Sequence, residues 1–228
     1  MKHFIRKTGE NLREGETALT AGTHLTPSKV GLCATMGYAS LPVVKKLKIA
    51  IISTGDELIQ PGEKLDRGEI YESNSFGLAG LVKWLGHEPT RLQCVGDTLD
   101  DIRNTLNKAA DTHDLILTSG GVSMGEWDFV RKIMEDEGEI HFWRIKLRPG
   151  SPPLFGTWNN TPIFGLPGNP VSSHVVFRML VAPWIRNATS ADGPIESRAF
   201  AKLASKVKPT KDSLTLRRVS IENNQSQL

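Results

Sequence analysis

The feature that most constrains the fold is a change of pattern at residue 47. From there to residue 187, short apolar runs alternate with longer segments whose apolar residues recur every three or four positions. The first run is Leu47–Ile52, and a fully apolar one follows at Leu115–Leu117. Buried strands separated by amphipathic helices are typical of βαβ units and a parallel sheet. We therefore predict an α/β domain with a parallel-sheet, three-layer core over residues 47–187.

Within this domain the pattern predicts individual elements. Hydrophobic periodicity and turn residues separate the strands from the helices. Thr98 and the acids after it resemble a capping box, which marks the start of a helix. The predicted strands are 47–52, 91–95, 114–118 and 140–147, with a hairpin around 158–161, and the predicted helices end at Gly86, follow Thr98, and span 127–137 and 171–187.

We expect both flanking regions to be incomplete domains. Residues 1–46 read as an irregular opening followed by a helix with Thr26 as N-cap and Pro27 at its first position. Alternating apolar residues over 198–207 and 214–221 predict two strands. Nothing else within residues 1–46 is long enough to cover the apolar face of the N-terminal helix, and the C-terminal stretch is about as long as the roughly 40 residues below which a domain does not fold alone. We expect a partial N-terminal segment at 1–46, a core domain at 47–187 and a partial C-terminal β module at 188–228.

Composition excludes several classes of protein. The formal net charge is only +3, and the basic residues are interspersed with acidic ones, which disfavours nucleic-acid binding. The longest apolar stretch is interrupted by Arg178 and Pro183, so no membrane span is predicted. No export signal is visible at the N-terminus, and Cys33 and Cys94 are far apart. We expect a cytoplasmic protein.

The residues that follow the strands are rich in glycine, acids and arginine. Ligands of open parallel sheets bind outside the carboxyl ends of the strands. Glycines before a helix let backbone N–H groups approach an anion, carboxylates are the ligands that Mg²⁺ prefers, and arginines neutralise an anion. The pattern predicts an oxyanion site beside a divalent metal, built from Gly120, Gly121, Gly125, Asp56, Glu57, Asp97, Asp128, Arg144 and Arg148.

A purely structural explanation stays open for each loop taken alone. Glycines make tight turns and acids cap helices wherever strands end. The segment Gly165–Ser172 is more rigid than a connector needs, because its two prolines fix φ. It is equally compatible with a pocket wall and with a helix start that contacts no ligand. The convergence of four loops favours a site.

Five segments together carry a family resemblance. They are Ser53–Leu58, Tyr71–Ser75, Ser119–Gly125 with Asp128, Pro149–Gly150 and Gly165–Ser172. In combination they resemble the molybdopterin molybdenumtransferases, including the E domain of gephyrin, over residues 7–187. The resemblance implies a core of the molybdopterin-binding type, related to the molybdopterin adenylyltransferases. It also implies the insertion of molybdate into adenylylated molybdopterin with release of AMP, Mg²⁺ as cofactor, a homodimer, and a molybdopterin adenylyltransferase as a further partner.

The resemblance also assigns roles to residues. Glu57, Asp97 and Asp128 look like the acids that hold Mg²⁺ and the adenylate phosphate, and Arg144 and Arg148 assist the anion as catalytic residues. The remaining motif positions are expected to bind the pterin nucleotide. This binding set is Thr54, Gly55, Asp56, Ser119, Gly120, Gly121, Ser123, Gly125, Pro167, Gly168, Pro170 and Ser172.

Some positions depart from the family pattern. Asn11 replaces a carboxylate, Arg144 and Arg148 replace two lysines, and Ser151 replaces a third lysine after the Pro-Gly turn. We also expect the chain to be truncated at both ends relative to the family. These departures leave a second hypothesis, a non-catalytic molybdopterin-binding or scaffold relative. A nucleotide pyrophosphatase of the competence-damage-protein type is a distant third.

Overall fold

The computed structural model describes residues 5–95, 98–122, 128–193, 196–197 and 199–222, with only the backbone of residues 93–95. The strands are β1 (Lys48–Thr54), β2 (Leu58–Ile59), β3 (Ile70–Tyr71), β4 (Glu88–Val95), β5 (Leu115–Ser119), β6 (Glu139–Trp143), β7 (Leu147–Arg148), β8 (Leu154–Trp158), β9 (Thr161–Leu166) and β10 (Leu214–Thr215). The helices are α1 (Pro27–Thr35), α2 (Asn74–Trp84), α3 (Leu99–Thr112), α4 (Phe129–Asp136), α5 (Pro170–Val176) and α6 (Ala182–Ala188), with a π-helical turn at Phe177–Val181.

The central sheet has six strands in the order β4-β1-β5-β9-β8-β6. The first four are parallel, and β8 and β6 complete the sheet in antiparallel pairing. Asn159 and Asn160 join β8 to β9 with φ of 45° and 62°, which is the backbone of a two-residue hairpin turn. The predicted mostly parallel α/β sheet and its hairpin are confirmed.

The core lies on both faces of this sheet. Ala50 and Ile52 of β1 pack in one cluster with residues of α3 and α4. Ile49 and Ile51 alternate with them and are fully buried on the other face, where α2 contacts β1 and β4. Helices cover both faces of the sheet, so the predicted three-layer core is confirmed.

Several predicted elements hold and others are wrong. Helix α3 begins after Thr98, whose side chain accepts a hydrogen bond from the Asp101 N–H at 3.1 Å, as the capping pattern predicts. The strand predicted at 140–147 breaks after Trp143, because Arg144 has a left-handed φ of 64°. The helix predicted at 171–187 is interrupted by the π-helical turn.

The C-terminal prediction is mostly wrong. None of the described residues in 198–207 forms a strand, and over 214–221 only β10 does. Phe200 is fully exposed, as are most of its described neighbours, so within the described part of the chain no partner covers an apolar face there. Strand β10 exists because it pairs with β7 in parallel, with Thr215 opposite Arg148.

The chain divides into two compact units. The first comprises Met1–Val44 with Ile185–Glu196, and the second comprises Lys45–Trp184 with Ser197–Leu228. The boundaries predicted at residues 46 and 187 stay a prediction. Among the residues that the structure describes, no helix has the length and apolar character needed to cross a membrane.

Candidate active site

The turn after β1 presents two acidic side chains. Gly55 has φ of 142°, and a Cβ atom there would lie 2.6 Å from Glu57 Oε2, so the Glu57 carboxylate fills the space beside it. The Leu58 N–H donates to Gly55 O at 3.1 Å, and the Ile70 N–H donates to Glu57 O at 2.8 Å. Glu57 and its neighbour Asp56 are exposed. This glycine turn therefore holds two carboxylates in solvent at the carboxyl end of β1.

The turn after β5 packs directly on the end of β1. Gly120 has φ of 98°, and a Cβ atom there would lie 2.9 Å from the Thr54 carbonyl oxygen. The Gly120 N–H donates to Leu166 O of β9 at 3.0 Å, which ties this turn to the next strand. Only glycine permits both the left-handed backbone and this close approach. The predicted residues Ser123 and Gly125 lie outside the described residues.

The loop after β9 forms a rigid helix start. Asn169 caps α5: its Oδ1 accepts hydrogen bonds from the Val171 N–H at 3.0 Å and the Ser172 N–H at 3.2 Å. Pro170 occupies the first turn of the helix, as the sequence predicts. The Ser173 hydroxyl donates to the Pro167 carbonyl oxygen. Because Asn169 Oδ1 accepts the capping hydrogen bonds, the N–H groups of the Asn169 side chain are the atoms that could donate to a ligand.

The two predicted arginines lie in different places. Arg148 is exposed on β7 and lines a cleft of about 560 Å³. The Arg144 guanidinium instead lies over the Trp143 ring, 5.5 Å from its centroid. The Trp143 indole N–H donates to Val122 O at 3.0 Å, which fastens the ring beneath the segment after the β5 turn. Arg144 does not line the cleft.

The cleft unites the Pro-Gly turn, the α5 loop and the C-terminal strand within the second compact unit. Leu214 and Leu216 donate backbone hydrogen bonds to Lys146 O and Arg148 O, both at 2.7 Å. This pairing brings Arg217 to the cleft. Its lining residues are Arg148, Pro149, Gly150, Ser151, Pro152, Pro167, Asn169, Ser172, Thr215, Leu216 and Arg217.

Sequence reasoning identified only part of this cleft. It predicted Arg148, Pro167 and Ser172, and it noted Ser151 as a departure, but it missed Asn169 and Arg217. The Asn-Pro sequence before α5 is an N-cap signal that could have identified Asn169. The role of Arg217 depends on the β10–β7 pairing, which joins residues far apart in the chain and leaves no local signal.

The predicted metal ligands are only partly described. Glu57 follows β1, and Asp128 stands at the N-cap position of α4. Asp97 lies outside the described residues. Among the residues that the structure covers, no three carboxylate, histidine or cysteine side chains form a cluster that could hold a metal. The predicted triad thus stays a prediction.

A second cavity lies at the opposite end of β1. Its volume is about 390 Å³, and it is lined by Lys46, Lys83, Gly86, His87, Glu88 and Pro89. His87 Nδ1 accepts the Leu47 N–H at 3.2 Å, so its ring is neutral and its Nε2 carries the proton. Burial and the nearby Lys46 charge lower the pKa of His87 below its usual value. This histidine supports the start of the strand.

Comparisons with known proteins agree with this architecture. A family described as "probable molybdopterin binding domain" matches residues 50–187. A molybdopterin molybdenumtransferase of Haemophilus influenzae is 40% identical over 181 residues, which are 79% of this chain and 45% of that protein. Molybdopterin molybdenumtransferase 2 of Mycobacterium tuberculosis is 36% identical over 97% of this chain and 56% of its own length.

A solved structure shows the same fold. The molybdopterin biosynthesis moea protein of Pyrococcus horikosii superposes with a TM-score of 0.73 at 30% identity, over 81% of this chain and 46% of that one. The chain thus spans about half the length of the curated relatives it matches. The resemblance to the molybdopterin molybdenumtransferases is confirmed, and the match over residues 50–187 shows that the chain belongs to the family of molybdopterin-binding domains.

Proposed function

We propose that this chain carries the pterin-nucleotide and oxyanion sites of a molybdopterin molybdenumtransferase, which inserts molybdate into adenylylated molybdopterin and releases AMP. The observation that carries the proposal is the cleft at the end of the sheet. Two arginines, two serines and the amide group of Asn169 line it, together with Pro167 of the loop after β9. Among the described residues that line the cleft none is a carboxylate, and such a lining suits a tetrahedral dianion such as molybdate.

The residues of the cleft would bind the anion in complementary ways. Arg148 and Arg217 supply positive charge from two separate segments, and a guanidinium offers paired N–H groups to an oxyanion. Ser151 Oγ donates to Ile145 O at 3.2 Å and Ser172 Oγ to Asn169 Oδ1 at 3.5 Å, so each hydroxyl would turn its proton from that acceptor to the anion. Pro149 and Pro167 restrict the backbone, so little ordering would remain to be done when the anion binds.

The acidic edge would bind the cation and the nucleotide. Glu57 and Asp128 supply hard oxygen ligands suited to Mg²⁺, and Asp97 is the third ligand that we propose. Gly55 supports this assignment. It has no side chain, so the Glu57 carboxylate can occupy the space beside it and stay close to the end of β1. Bound Mg²⁺ would neutralise charge on the adenylate phosphate. The β5 turn, Thr54 to Asp56 and Gly168 would hold the pterin nucleotide beside it.

The direct test is AMP release from adenylylated molybdopterin with Mg²⁺, with and without molybdate, measured by chromatography. We expect AMP to form only with molybdate, and Asp128→Ala to abolish its release. Asp136→Ala removes an exposed acid from the other end of the same helix and should leave the rate unchanged. An unchanged rate in Asp128→Ala would remove that residue from the mechanism.

A second candidate is a binding or scaffold protein without turnover. The observation that favours it is Ser151, which lines the cleft where the family pattern carries a lysine. A hydroxyl contributes no charge to the anion site. Tight binding of the pterin nucleotide in a calorimetric titration, with no AMP released, would establish this alternative.

The remaining expectations belong to the same proposal. A homodimer and a molybdopterin adenylyltransferase as the source of the substrate follow from the family resemblance, and we further propose a cytoplasmic location from the sequence pattern at the N-terminus and the spacing of the cysteines. Sedimentation equilibrium tests the first of these. A protein that stays monomeric even at about 100 times the concentration used in the turnover assay would contradict the dimer.

A further inference from the structure

The segment Tyr71–Ser75 contributes to the family motif but has no role in the site described so far. Its centre is Glu72, which is 2% exposed. The Glu72 carboxylate accepts hydrogen bonds from Ser53 Oγ at 3.0 Å, from the Ser75 N–H at 2.7 Å and from Ser75 Oγ at 2.5 Å. Arg91 lies 3.7 Å from it and donates to Ser75 Oγ at 2.7 Å. A buried carboxylate with this many partners fixes the start of α2 against β1 and β4.

Glu72 thereby fixes the position of Asn74, the first residue of α2. Its Nδ2 donates to Ser119 Oγ at 2.7 Å and to Gly168 O at 2.7 Å. A carbonyl oxygen can only accept, so the amide group must present its nitrogen there. One amide therefore joins the turn after β5 to the loop after β9, which are 45 and 94 residues away in sequence.

The other end of this amide is unsatisfied. Asn74 Oδ1 is buried and has no hydrogen-bond partner among the described residues. Unpaired buried acceptors are rare because they lose their hydration without compensation. The hydrogen bonds that the Asn74 side chain does make are therefore those to the two loops.

We propose that Asn74 is a positioning residue, which sets the spacing between the Ser119–Gly121 turn and the Pro167–Pro170 loop. The inference rests on the proposed function in so far as these two segments hold the pterin nucleotide. Both segments contribute predicted binding residues, and the Asn74 side chain donates a hydrogen bond to each of them. Loss of the amide would widen the site without removing any group that touches the ligand.

Hydrogen–deuterium exchange tests the spacing without reference to activity. The reporters are the Gly120 N–H, which is bonded to Leu166 O, and the Val171 and Ser172 N–H groups at the α5 cap. Asn74→Ala should speed exchange at both loops about tenfold. Asn74→Asp can still accept from Ser119 Oγ but cannot donate to Gly168 O, so it should loosen only the second loop.

Ser73→Ala is the matched control, because Ser73 is the exposed neighbour and its side chain makes no capping hydrogen bond. It should leave both loops unchanged. Exchange that is unaltered in Asn74→Ala, or raised equally along β1, would overturn the proposal. A melting temperature within a few degrees of that of the parent protein confirms that each variant is folded. If Asn74→Ala does not fold, Asn74→Asp provides the test instead.

Calorimetry with AMP and Mg²⁺ as the probe links the spacing to ligand binding. We expect the dissociation constant for AMP to rise about tenfold in Asn74→Ala and not at all in Ser73→Ala. Unchanged AMP affinity together with loosened loops would overturn the role in the site. If the parent protein itself binds no AMP, the proposed function fails, and the exchange result still decides whether Asn74 positions the loops.

Discussion

The two walls of the cleft are built by different forces. One wall consists of the Pro-Gly turn and the α5 loop, and it rests on the core: Gly150 is buried, and a Cβ atom there would lie 2.7 Å from Val176 Cγ2. The other wall is the C-terminal strand, which is held by backbone hydrogen bonds to Lys146 and Arg148. Val219, a few residues beyond it, is 71% exposed.

The two walls therefore differ in stability, and the cleft is complete only when the less stable second wall is in place. Burial of apolar side chains fixes the first wall, whereas hydrogen bonds of about 1 kcal/mol net each hold the second. Thr215 Oγ1 accepts from the Thr210 N–H at 2.8 Å, and Arg217 Nη2 donates to Lys208 O at 3.0 Å. The second wall should therefore open locally at low cost while the sheet stays folded.

We expect the largest difference in the free energy of unfolding when leucine is replaced by alanine in the sheet core and, separately, in the C-terminal strand. Leu117 of β5 is fully buried, so Leu117→Ala should lower the free energy of unfolding by about 2–5 kcal/mol. Leu214 of β10 is 56% exposed, and Leu214→Ala should change it by less than about 0.5 kcal/mol. Urea denaturation measures both. Equal losses would mean that the C-terminal strand belongs to the same cooperative core.

The next effect concerns binding rather than stability. Arg217→Ala removes one of the two arginines of the cleft and should weaken molybdate binding about tenfold, as expected for the loss of a charged hydrogen bond. The urea midpoint should not move. Lys211→Ala removes an equal charge from outside the cleft lining and serves as control. A similar loss of affinity in both variants would attribute the effect to net charge alone.

A smaller effect should appear at the cap of α5. Asn169 accepts two backbone hydrogen bonds, so Asn169→Ala should lower the free energy of unfolding by about 1 kcal/mol. Thr26 stands at the N-cap position of α1 but makes no side-chain capping bond, and Thr26→Ala should cost less. Thermal unfolding followed by circular dichroism compares the two. A larger loss at Thr26 would contradict the capping assignment.

The smallest effect is a dependence of stability on pH. The folded-state pKa of His87 lies below its unfolded value, so its contribution is present above pH 6.5 and is lost as the pH falls towards the folded pKa. Protonation would also remove the acceptor for the Leu47 N–H. His87→Asn, whose Oδ1 can replace Nδ1, should flatten the fall in urea midpoint below pH 6.5. An identical pH profile in the variant would exclude His87 as the cause.

The sequence predicts the parallel sheet because that information is local. The central strands β1 and β5 are runs of buried residues, and Thr98 and Pro170 each mark a helix start through residues no more than four positions apart. The break after Trp143 could not be predicted, because Arg144 adopts φ of 64° in a run that otherwise reads as a strand.

The site was predictable to the extent that it lies at strand ends. Glycine and acid after β1 and β5 point to one edge of the sheet, and the structure places the turns at Gly55 and Gly120 at the carboxyl ends of these strands. Arg217 and the bridging amide of Asn74 were missed because each acts through a partner far away in the chain. Such partners are set by tertiary packing, which no local pattern contains.

The most direct test of the account is a molybdate titration by isothermal calorimetry of the parent protein and of the variant Arg148→Ala/Arg217→Ala. We predict saturable binding at one site in the parent protein and a loss of affinity of about 30-fold or more in the double variant, since two charged contacts are removed. Binding that is equal in the two proteins would show that the cleft is not the oxyanion site.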